Sequence, residues 1–418
     1  MCKNSKTLPN KKNLNYAKGA KFMKYDFETL VSRKNVGSSK WNLMDKMNPK
    51  VNDNVVPFSV ADMEFKNPPQ IVEGLKKYLD YSVLGYTEAT EGYYNSVCNW
   101  MERRHGWNIR KEWITEFSGV VPALHIIIRA LTEKDDNVLL MTPVYYPFYT
   151  AIKLNNRGVI KNELVFCKDH YEINFEDFEE KAKLESTKLL ILCNPHNPVG
   201  RVWSEDELKK IGRICIDNNV LIVSDEIHFD LIMPGYKHTV FANISEEFAQ
   251  VSVICSAPSK TFNLAGLQAS NIIIPNKKIR DKVVSARRQS IGNSGLNIFG
   301  YKACEIAYNE CEDWLDELIQ VLYENKKLVE DFIKTNIPEI KVIDLEGTYL
   351  QWLDFRELEK DYKSLEKFMH TEAQFFLDEG YIFGDEGQGF ERINLACPKN
   401  VLKEALDRLL EAVKRCYK

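Results

Sequence analysis

Four short apolar segments, each followed by polar, aromatic or proline-rich residues, constrain the fold of this chain more than any other feature of its sequence. They cover residues 138–141, 188–193, 220–224 and 251–254, and helical patterns separate them. Buried segments alternating with helices are typical of parallel strands, whose carboxyl ends meet at one edge of the sheet and bind ligands there. The pattern therefore predicts an α/β fold in which helices sandwich a mainly parallel sheet.

Lys260 follows the fourth apolar segment, in the stretch S-A-P-S-K-T-F-N-L-A-G that covers residues 256–266. A single lysine is most often a solvated surface charge. Here its neighbours are small or hydroxylated, and the Ala-Gly pair permits a close backbone approach. A lysine in a tight, partly apolar pocket loses its proton easily and can form a Schiff base with an aldehyde. We expect Lys260 to be the catalytic residue and the anchor of pyridoxal 5'-phosphate.

Polar residues at the ends of two other apolar segments match the needs of such a cofactor. Asp225 can simply cap a turn, but beside the pyridine nitrogen it would keep that nitrogen protonated. Asn197, in N-P-H-N-P-V-G, can be a turn residue or can donate to the phenolic oxygen of the cofactor. His228 can be an ordinary hydrogen-bonded loop histidine or can lie near the same ring. We expect all three to contact the cofactor.

Three further positions complete the predicted site. Gly119 precedes an apolar helix, and the unpaired amides at a helix N-terminus can bind phosphate. Tyr145 can pack in the core or lie flat over the cofactor ring. Arg392 can form a surface pair with Glu391, of little energetic value, or can bind the α-carboxylate of an amino acid through two parallel hydrogen bonds.

Composition excludes several other classes of protein. The 418 residues are 44% hydrophobic and carry a net charge of -4. The sequence has no basic stripe of the kind that binds the phosphates of nucleic acid. No apolar run approaches the roughly 18 residues of a membrane helix. The ten cysteines form no C-x-x-C pair, which favours reduced thiols in a cytoplasmic protein. The seven histidines are scattered, and we expect no metal.

Composition and secondary-structure pattern divide the chain into four parts. Residues 1–22 carry six lysines and no acid, and they are predicted to be a disordered basic arm. Residues 69–309 contain the strand and helix units and are predicted to form a large cofactor-binding domain. Residues 23–68 and 310–418 are predicted to form a smaller α+β domain from both ends of the chain, the first part including a loop that covers the substrate.

The ordered spacing of Asn197, Asp225 and Lys260 resembles the aspartate aminotransferase fold type of pyridoxal phosphate enzymes, known as fold type I. More narrowly, six motifs are similar to the MalY/PatB group of cystathionine β-lyases, also called C-S β-lyases. These motifs are V-A-D-M-E-F, L-G-Y-T-E-A-T-E-G-Y, W-M-E-R-R-H-G-W, S-G-V-V-P-A-L, S-D-E-I-H-F-D and A-P-S-K-T-F-N-L-A-G. The resemblance runs from about residue 25 to the C-terminal helix.

This resemblance implies a homodimer whose active sites lie at the interface, with Tyr86 of one subunit reaching the cofactor phosphate in the other. It also implies that Ala61 lies on the loop over the substrate. The amides of Val120 and Val121 would hold the phosphate, and Ser259 would add a hydroxyl group.

Three positions differ from typical aminotransferases of this fold. Ala257 stands where many have a phosphate-binding serine, Gln268 where many have an arginine, and His228 where many have a tyrosine. The third difference matches the lyase group, so we expect α,β-elimination of L-cystathionine or a related S-substituted cysteine to pyruvate, ammonia and a thiol. Two alternatives stay open: an aminotransferase acting on an amino acid and a 2-oxo acid, and a cofactor-binding protein that acts as a regulatory partner.

Overall fold

The computed structural model describes residues 23–292 and 295–417, so the predicted N-terminal arm lies outside the described residues. The strands of the described part are β1 (Ile114–Phe117), β2 (Asn137–Thr142), β3 (Gly158–Glu163), β4 (Val165–Cys167), β5 (His170–Glu172), β6 (Thr187–Cys193), β7 (Leu221–Asp225), β8 (Ser252–Ser256), β9 (Ser270–Ile273), β10 (Lys341–Val342), β11 (Leu350–Asp354), β12 (Asp378–Glu379) and β13 (Phe390–Asn394).

The α-helices of the same part alternate with these strands along the chain. They are α1 (Ser39–Met47), α2 (Pro69–Tyr81), α3 (Glu91–His105), α4 (Val120–Leu131), α5 (Pro147–Leu154), α6 (Phe175–Ala182), α7 (Glu205–Asp217), α8 (Glu246–Val251), α9 (Pro258–Thr261), α10 (Lys277–Ile291), α11 (Ile298–Glu310), α12 (Glu312–Asn336), α13 (Tyr362–Thr371) and α14 (Lys399–Tyr417).

A seven-stranded sheet forms the centre of the molecule, in the order β1-β9-β8-β7-β6-β2-β3. Its strands are parallel except β9, which runs antiparallel to both of its neighbours. The predicted mainly parallel sheet is therefore confirmed. The sequence pattern missed β3 and β9, because Gly158 and the polar pair Ser270-Asn271 open these strands instead of an apolar run.

Apolar side chains cover both faces of this sheet. Because successive residues of a strand point to opposite faces, Leu190 and Leu192 of β6 belong to one apolar cluster, and Leu189 and Ile191 belong to the other. The second cluster packs under α4, α5 and α10. Burying each such side chain contributes about 1.5–3 kcal/mol, so the strands are fixed on both sides and their carboxyl ends form a rigid edge.

A smaller antiparallel sheet, in the order β10-β11-β13-β12, lies beside helices α12 and α14. The segment before α2 is hydrogen-bonded along it. The amide of Phe58 donates to the carbonyl of Phe376 at 2.8 Å, and the amide of Asn394 donates to the carbonyl of Phe58 at 2.9 Å. The segment before α2 thus meets the small sheet in this part of the fold. The domain boundaries at residues 68 and 309 remain a prediction.

The expectations about membrane helices and disulfide bonds can be compared with the structure. Within residues 23–292 and 295–417, no helix is both long and apolar enough to cross a lipid bilayer. In the same ranges no disulfide bond joins any pair of cysteines. The cytoplasmic location expected from the cysteines stays a prediction.

Candidate active site

A cavity of about 200 Å³ lies at the carboxyl edge of the large sheet, beside the ends of β6, β7 and β8. Ten of the twelve site residues expected from the sequence line it, and the other two, Arg392 and Tyr86, do not. The ten are Ala61, Gly119, Val120, Val121, Tyr145, Asn197, Asp225, His228, Ser259 and Lys260. The parallel strands therefore bring together residues that are up to 199 positions apart.

The amine of Lys260 points into this cavity from α9, directly after β8. Its Nζ atom donates a hydrogen bond of 2.7 Å to the carbonyl oxygen of Ala61. Burial lowers the pKa of Lys260 to about 8, against the opposing effect of Asp62, because desolvation disfavours the charged amine. About half of the amine is therefore neutral at pH 8, so this lysine can act as a nucleophile or as a base.

Asp225 ends β7 on the floor of the cavity and is buried. One carboxylate oxygen accepts a hydrogen bond of 3.2 Å from the amide of Ile227. Burial raises the pKa of Asp225 to about 7, although the positive charge of Lys260 opposes this shift. A buried carboxylate with so few donors is suited to a cationic partner in the cavity.

The raised pKa of Asp225 predicts that this residue lowers the folding stability of the cofactor-free protein, and that the loss depends on pH. Between about pH 4 and pH 7 the unfolded chain loses the proton of this carboxyl while the folded chain keeps it, so folding stability falls as the pH rises and the cost is complete above pH 7. Asp225→Asn removes the cost. Cofactor-free D225N should be more stable than cofactor-free wild type at pH 8 by on the order of 2–4 kcal/mol.

Urea unfolding of both cofactor-free proteins at pH 5 and pH 8 measures this effect. The advantage of D225N should be smaller at pH 5 than at pH 8, because the wild-type carboxyl then retains its proton in the folded state. An equal difference at both pH values would contradict the assigned titration of Asp225.

The N-terminus of α4 faces the same cavity. Gly119 adopts a φ of 131°, a conformation that side-chain-bearing residues rarely adopt, and this turn leads β1 into the helix. The amides of Val120 and Val121 belong to the first turn and have no partner within the helix. Ser259 and Gln268 also line the cavity, whereas Ala257 is buried and does not. Two backbone amides, the hydroxyl of Ser259 and the side-chain amide of Gln268 are therefore available to a phosphate. No arginine is among the residues that line the cavity.

Arg392 lies behind the cavity wall, with 2% of its surface exposed. Its Nη1 atom donates to Oδ1 of Asn197 at 2.7 Å, and its Nε and Nη2 atoms donate to one carboxylate oxygen of Asp378. The ring of Phe383 lies 4.6 Å from the guanidinium carbon. Arg392 does not pair with Glu391, because neighbouring residues of β13 point to opposite faces. The contact with Arg392 leaves the Nδ2 donors of Asn197 available to the cavity.

Two rings complete the lining. His228 is buried, and its Nδ1 atom has no hydrogen-bond partner in the structure. Burial, with the charges of Lys260 and Arg392, holds the pKa of His228 well below its usual value, so the imidazole is neutral. Tyr145 also lines the cavity, and its amide donates to the carbonyl of Asn197 at 3.1 Å.

Two residues near the cavity were missed by the sequence analysis. The hydroxyl of Tyr349 donates to the carbonyl of Ala61 at 2.9 Å, and its ring packs 5.9 Å from that of His228. Asp378 fixes Arg392 and also accepts from the amide of Val60 at 3.0 Å. No local motif marks either residue, because their partners lie up to 318 positions away in the chain.

Tyr86 lies apart from the cavity, in the connection between α2 and α3, and is fully exposed. Its neighbours Tyr81, Val83 and Leu84 are also exposed. Within one chain, the structure does not bring Tyr86 to the other predicted site residues.

The fold and the lysine-centred cavity define a class of protein. The model of the family described as "Aminotransferase class I and II" matches residues 53–409, and the chain belongs to this family. The expected fold of aspartate aminotransferase type is confirmed.

Within the family, known relatives narrow the comparison. Cystathionine beta-lyase PatB of Bacillus subtilis (strain 168) is 42% identical over 388 residues, which cover 93% of this chain and 100% of that protein. The crystal structure of cystalysin from Treponema denticola, which contains pyridoxal 5'-phosphate, has a TM-score of 0.93 and 53% identity over 94% of this chain and 100% of its own.

A third comparison agrees with these two. The pyridoxal phosphate-bound C-S lyase from Staphylococcus hominis has a TM-score of 0.87 and 30% identity, with 94% of this chain and 100% of that chain covered. The resemblance to the MalY/PatB group that the motifs indicated is thus confirmed.

Proposed function

We propose that this protein is a pyridoxal phosphate-dependent carbon-sulfur β-lyase. It converts L-cystathionine, or a related S-substituted L-cysteine, to pyruvate, ammonia and a thiol. The observation that carries the proposal is the convergence of a deprotonable lysine and a buried carboxylate at one cavity, with a buried guanidinium bonded to Asn197 behind its wall, in a chain 42% identical to a cystathionine β-lyase.

The lining of the cavity fits the cofactor. The amine of Lys260 is placed to bond the aldehyde, and the buried carboxylate of Asp225 suits a protonated pyridine nitrogen. The unpartnered Nδ1 atom of His228 and the free donors of Asn197 offer polar contacts to the ring substituents. The first turn of α4 offers amides to the phosphate.

The bound cofactor supplies an acceptor for the electron pair released when the α-proton of the substrate leaves. Lys260 acts as the base that takes this proton, since its amine is neutral in part near pH 8. Arg392 binds the α-carboxylate and so orients the α-carbon toward that amine. Tyr145 fixes the plane of the ring, and Ala61 lies on the loop over the substrate and excludes water.

The overall reaction balances without an oxidant. The substrate loses its α-proton and its sulfur group, the carbon-sulfur bond breaks with its electron pair on sulfur, and the thiolate takes up a proton. The β-carbon then takes up a proton and becomes a methyl group, and water replaces nitrogen at the α-carbon, which yields pyruvate and ammonium. His228, in place of the tyrosine of many aminotransferases, supports elimination over amino transfer.

Product analysis tests this proposal. The purified protein, loaded with pyridoxal phosphate, is incubated with L-cystathionine and no 2-oxo acid. Pyruvate, ammonia and homocysteine should form in equal amounts over many turnovers. If products form only after a 2-oxo acid is added, together with a new amino acid, the protein is an aminotransferase. If neither lyase nor aminotransferase activity is found, and Lys260→Ala leaves the biological role of the protein intact, the protein acts as a regulatory binding partner and not as an enzyme.

We propose further that the protein is a homodimer with Tyr86 completing the site of the partner subunit. The exposed residues Tyr81, Val83, Leu84 and Tyr86 form an apolar stretch that a single chain leaves uncovered. A second copy of the chain would bury it, and the phenol of Tyr86 could then donate to the phosphate. This would compensate for the lack of an arginine among the lining residues.

Mixing two inactive variants tests the shared site. Tyr86→Ala removes the donated phenol but keeps Lys260, and Lys260→Ala removes the base but keeps Tyr86. After unfolding and refolding together in equal amounts, half of the dimers would be mixed, and each would hold one intact site. We expect about a quarter of the wild-type activity to return. Activity no higher than the sum of the two variants would exclude the shared site.

A further inference from the structure

The face of the small sheet opposite Arg392 carries buried carboxylates. Glu379 of β12 and Glu391 of β13 pair across the two strands, as do Asp378 and Arg392. Successive residues of a strand point to opposite faces. The side chains of Asp378 and Arg392 therefore lie on the face toward the cavity, and those of Glu379 and Glu391 lie on the other face. Both glutamates are buried, with 7% and 3% of their surfaces exposed. A charged carboxylate on a buried face requires a compensating group.

Helix α13 supplies two further polar side chains to this face. Glu366 and His370 are four residues apart, so they lie on the same side of the helix. One ligand atom of each, with one of Glu379, forms a group in which all atoms lie within 4.8 Å of one another. Bonds of about 2.0–2.2 Å from a metal to nitrogen or oxygen place its ligand atoms roughly 3–4.4 Å apart. The three side chains are therefore close to the geometry of a metal site.

A second observation points to a ligand between these side chains. The Oε1 atom of Glu379 is buried and receives no hydrogen bond. The Nε2 atom of His370 lies only 2.9 Å from it, but no hydrogen bond joins the two atoms. An ordinary ion pair would aim the ring N–H at the oxygen. Two close atoms that do not bond to each other can instead direct their lone pairs at a common third atom.

The imidazole of His370 is held in place from two sides. Its ring stacks on that of Phe376 at 5.3 Å, and its backbone carbonyl accepts from Nδ2 of Asn48 at 2.8 Å. The hydroxyl of Tyr381 lies 3.4 Å from Oε2 of Glu366 and leaves the other oxygen of that carboxylate unused by the contact. The group is thus largely preorganised around one point.

We propose that Glu366, His370 and Glu379 bind a divalent first-row transition metal ion. The ion would link α13 to β12, the strand that pairs with the Arg392 strand β13. One imidazole with two carboxylates suits Mn²⁺ or Zn²⁺, whereas Mg²⁺ and Ca²⁺ prefer oxygen ligands alone. This site does not depend on the lyase proposal, because none of its three ligands lines the cavity.

Titration of the protein with Mn²⁺ tests the site, since this ion prefers oxygen and imidazole ligands to the thiols of the chain. Full-length protein loaded with pyridoxal phosphate, freed of excess cofactor, is titrated while free Mn²⁺ is followed by electron paramagnetic resonance. We expect one ion bound per chain. Glu379→Gln, which preserves side-chain shape, and His370→Gln, which removes the imidazole, should each weaken binding at least about tenfold.

His170→Gln is the matched control. His170 also lies beside two carboxylates, with its Nδ1 atom 3.1 Å from Asp169 and its Nε2 atom 3.2 Å from Glu172, but 36% of its side chain is exposed. H170Q should bind Mn²⁺ as the wild type does, and added Mn²⁺ should raise the Tm of both. Failure of the wild type to bind at millimolar Mn²⁺, or equal affinities of H370Q, E379Q and H170Q, would overturn the proposal.

Discussion

Replacing Lys260 with alanine is expected to lower kcat for cystathionine cleavage by about 10²–10⁴-fold or more, since the proposed general base is removed from the site. The variant also loses the amine that bonds the cofactor, so its visible absorption should change to that of cofactor held without a covalent link. The fold should persist, because Lys260 contributes one hydrogen bond, to the carbonyl of Ala61. Steady-state kinetics and the absorption spectrum of the purified variant measure both effects.

Two comparisons make this prediction specific. Lys260→Arg retains a positive charge but cannot lose its proton near neutral pH, so it should be as inactive as K260A. A small primary amine added to K260A should restore part of the activity, because it can enter the space left by the side chain and act as the base. Wild-type turnover in either variant would exclude Lys260 as the base.

Replacing Arg392 is expected to have the second-largest effect, on both binding and stability. Arg392→Lys keeps the charge but loses the paired donors, so KM should rise by about 10–100-fold while kcat changes less. Arg392→Ala leaves the carboxylate of Asp378 buried without its cation, which should cost about 3–5 kcal/mol of folding stability. Kinetics with cystathionine and urea unfolding measure the two effects separately.

Arg356 offers a matched control for Arg392. It too binds one aspartate, Asp354, through Nε and Nη2, and it lies over a phenylalanine, Phe390, at 4.4 Å. It does not line the cavity, and its side chain is 47% exposed. Arg356→Lys should leave KM unchanged. An equal rise of KM in both lysine variants would show that Arg392 acts through the small sheet and not on the substrate.

The catalytic edge of the molecule could be predicted because its signals are local. A lysine, an aspartate and an asparagine each follow a buried strand directly, and parallel strands place their carboxyl ends together whatever the intervening loops do. Lys260, Asp225 and Asn197 line one cavity for this reason. The helix N-terminus after Gly119 is a local signal of the same kind, since a glycine between strand and helix frees the first amides.

The missed elements lack such signals. Strand β9 opens with Ser270 and Asn271, and its position is set by backbone pairing with antiparallel strands on both sides. The partner of Arg392 was not foreseen either, because Asp378 lies 14 residues away on the neighbouring strand, and register alone sets them side by side. The scattered histidines gave no reason to expect the cluster of Glu366, His370 and Glu379, although the first two already stand at the i, i+4 spacing of one helical face.

The sequence alone determined the fold class, the cofactor edge and the residues that follow its strands, because hydrophobic periodicity and chain order fix which strand ends share an edge. The tertiary structure decided which side chains are buried together across long separations. It placed Arg392 between Asp378 and Asn197, and it set the carbonyl of Ala61 against Lys260. These contacts depend on strand register and on the packing of both chain ends, which no local pattern of residues specifies.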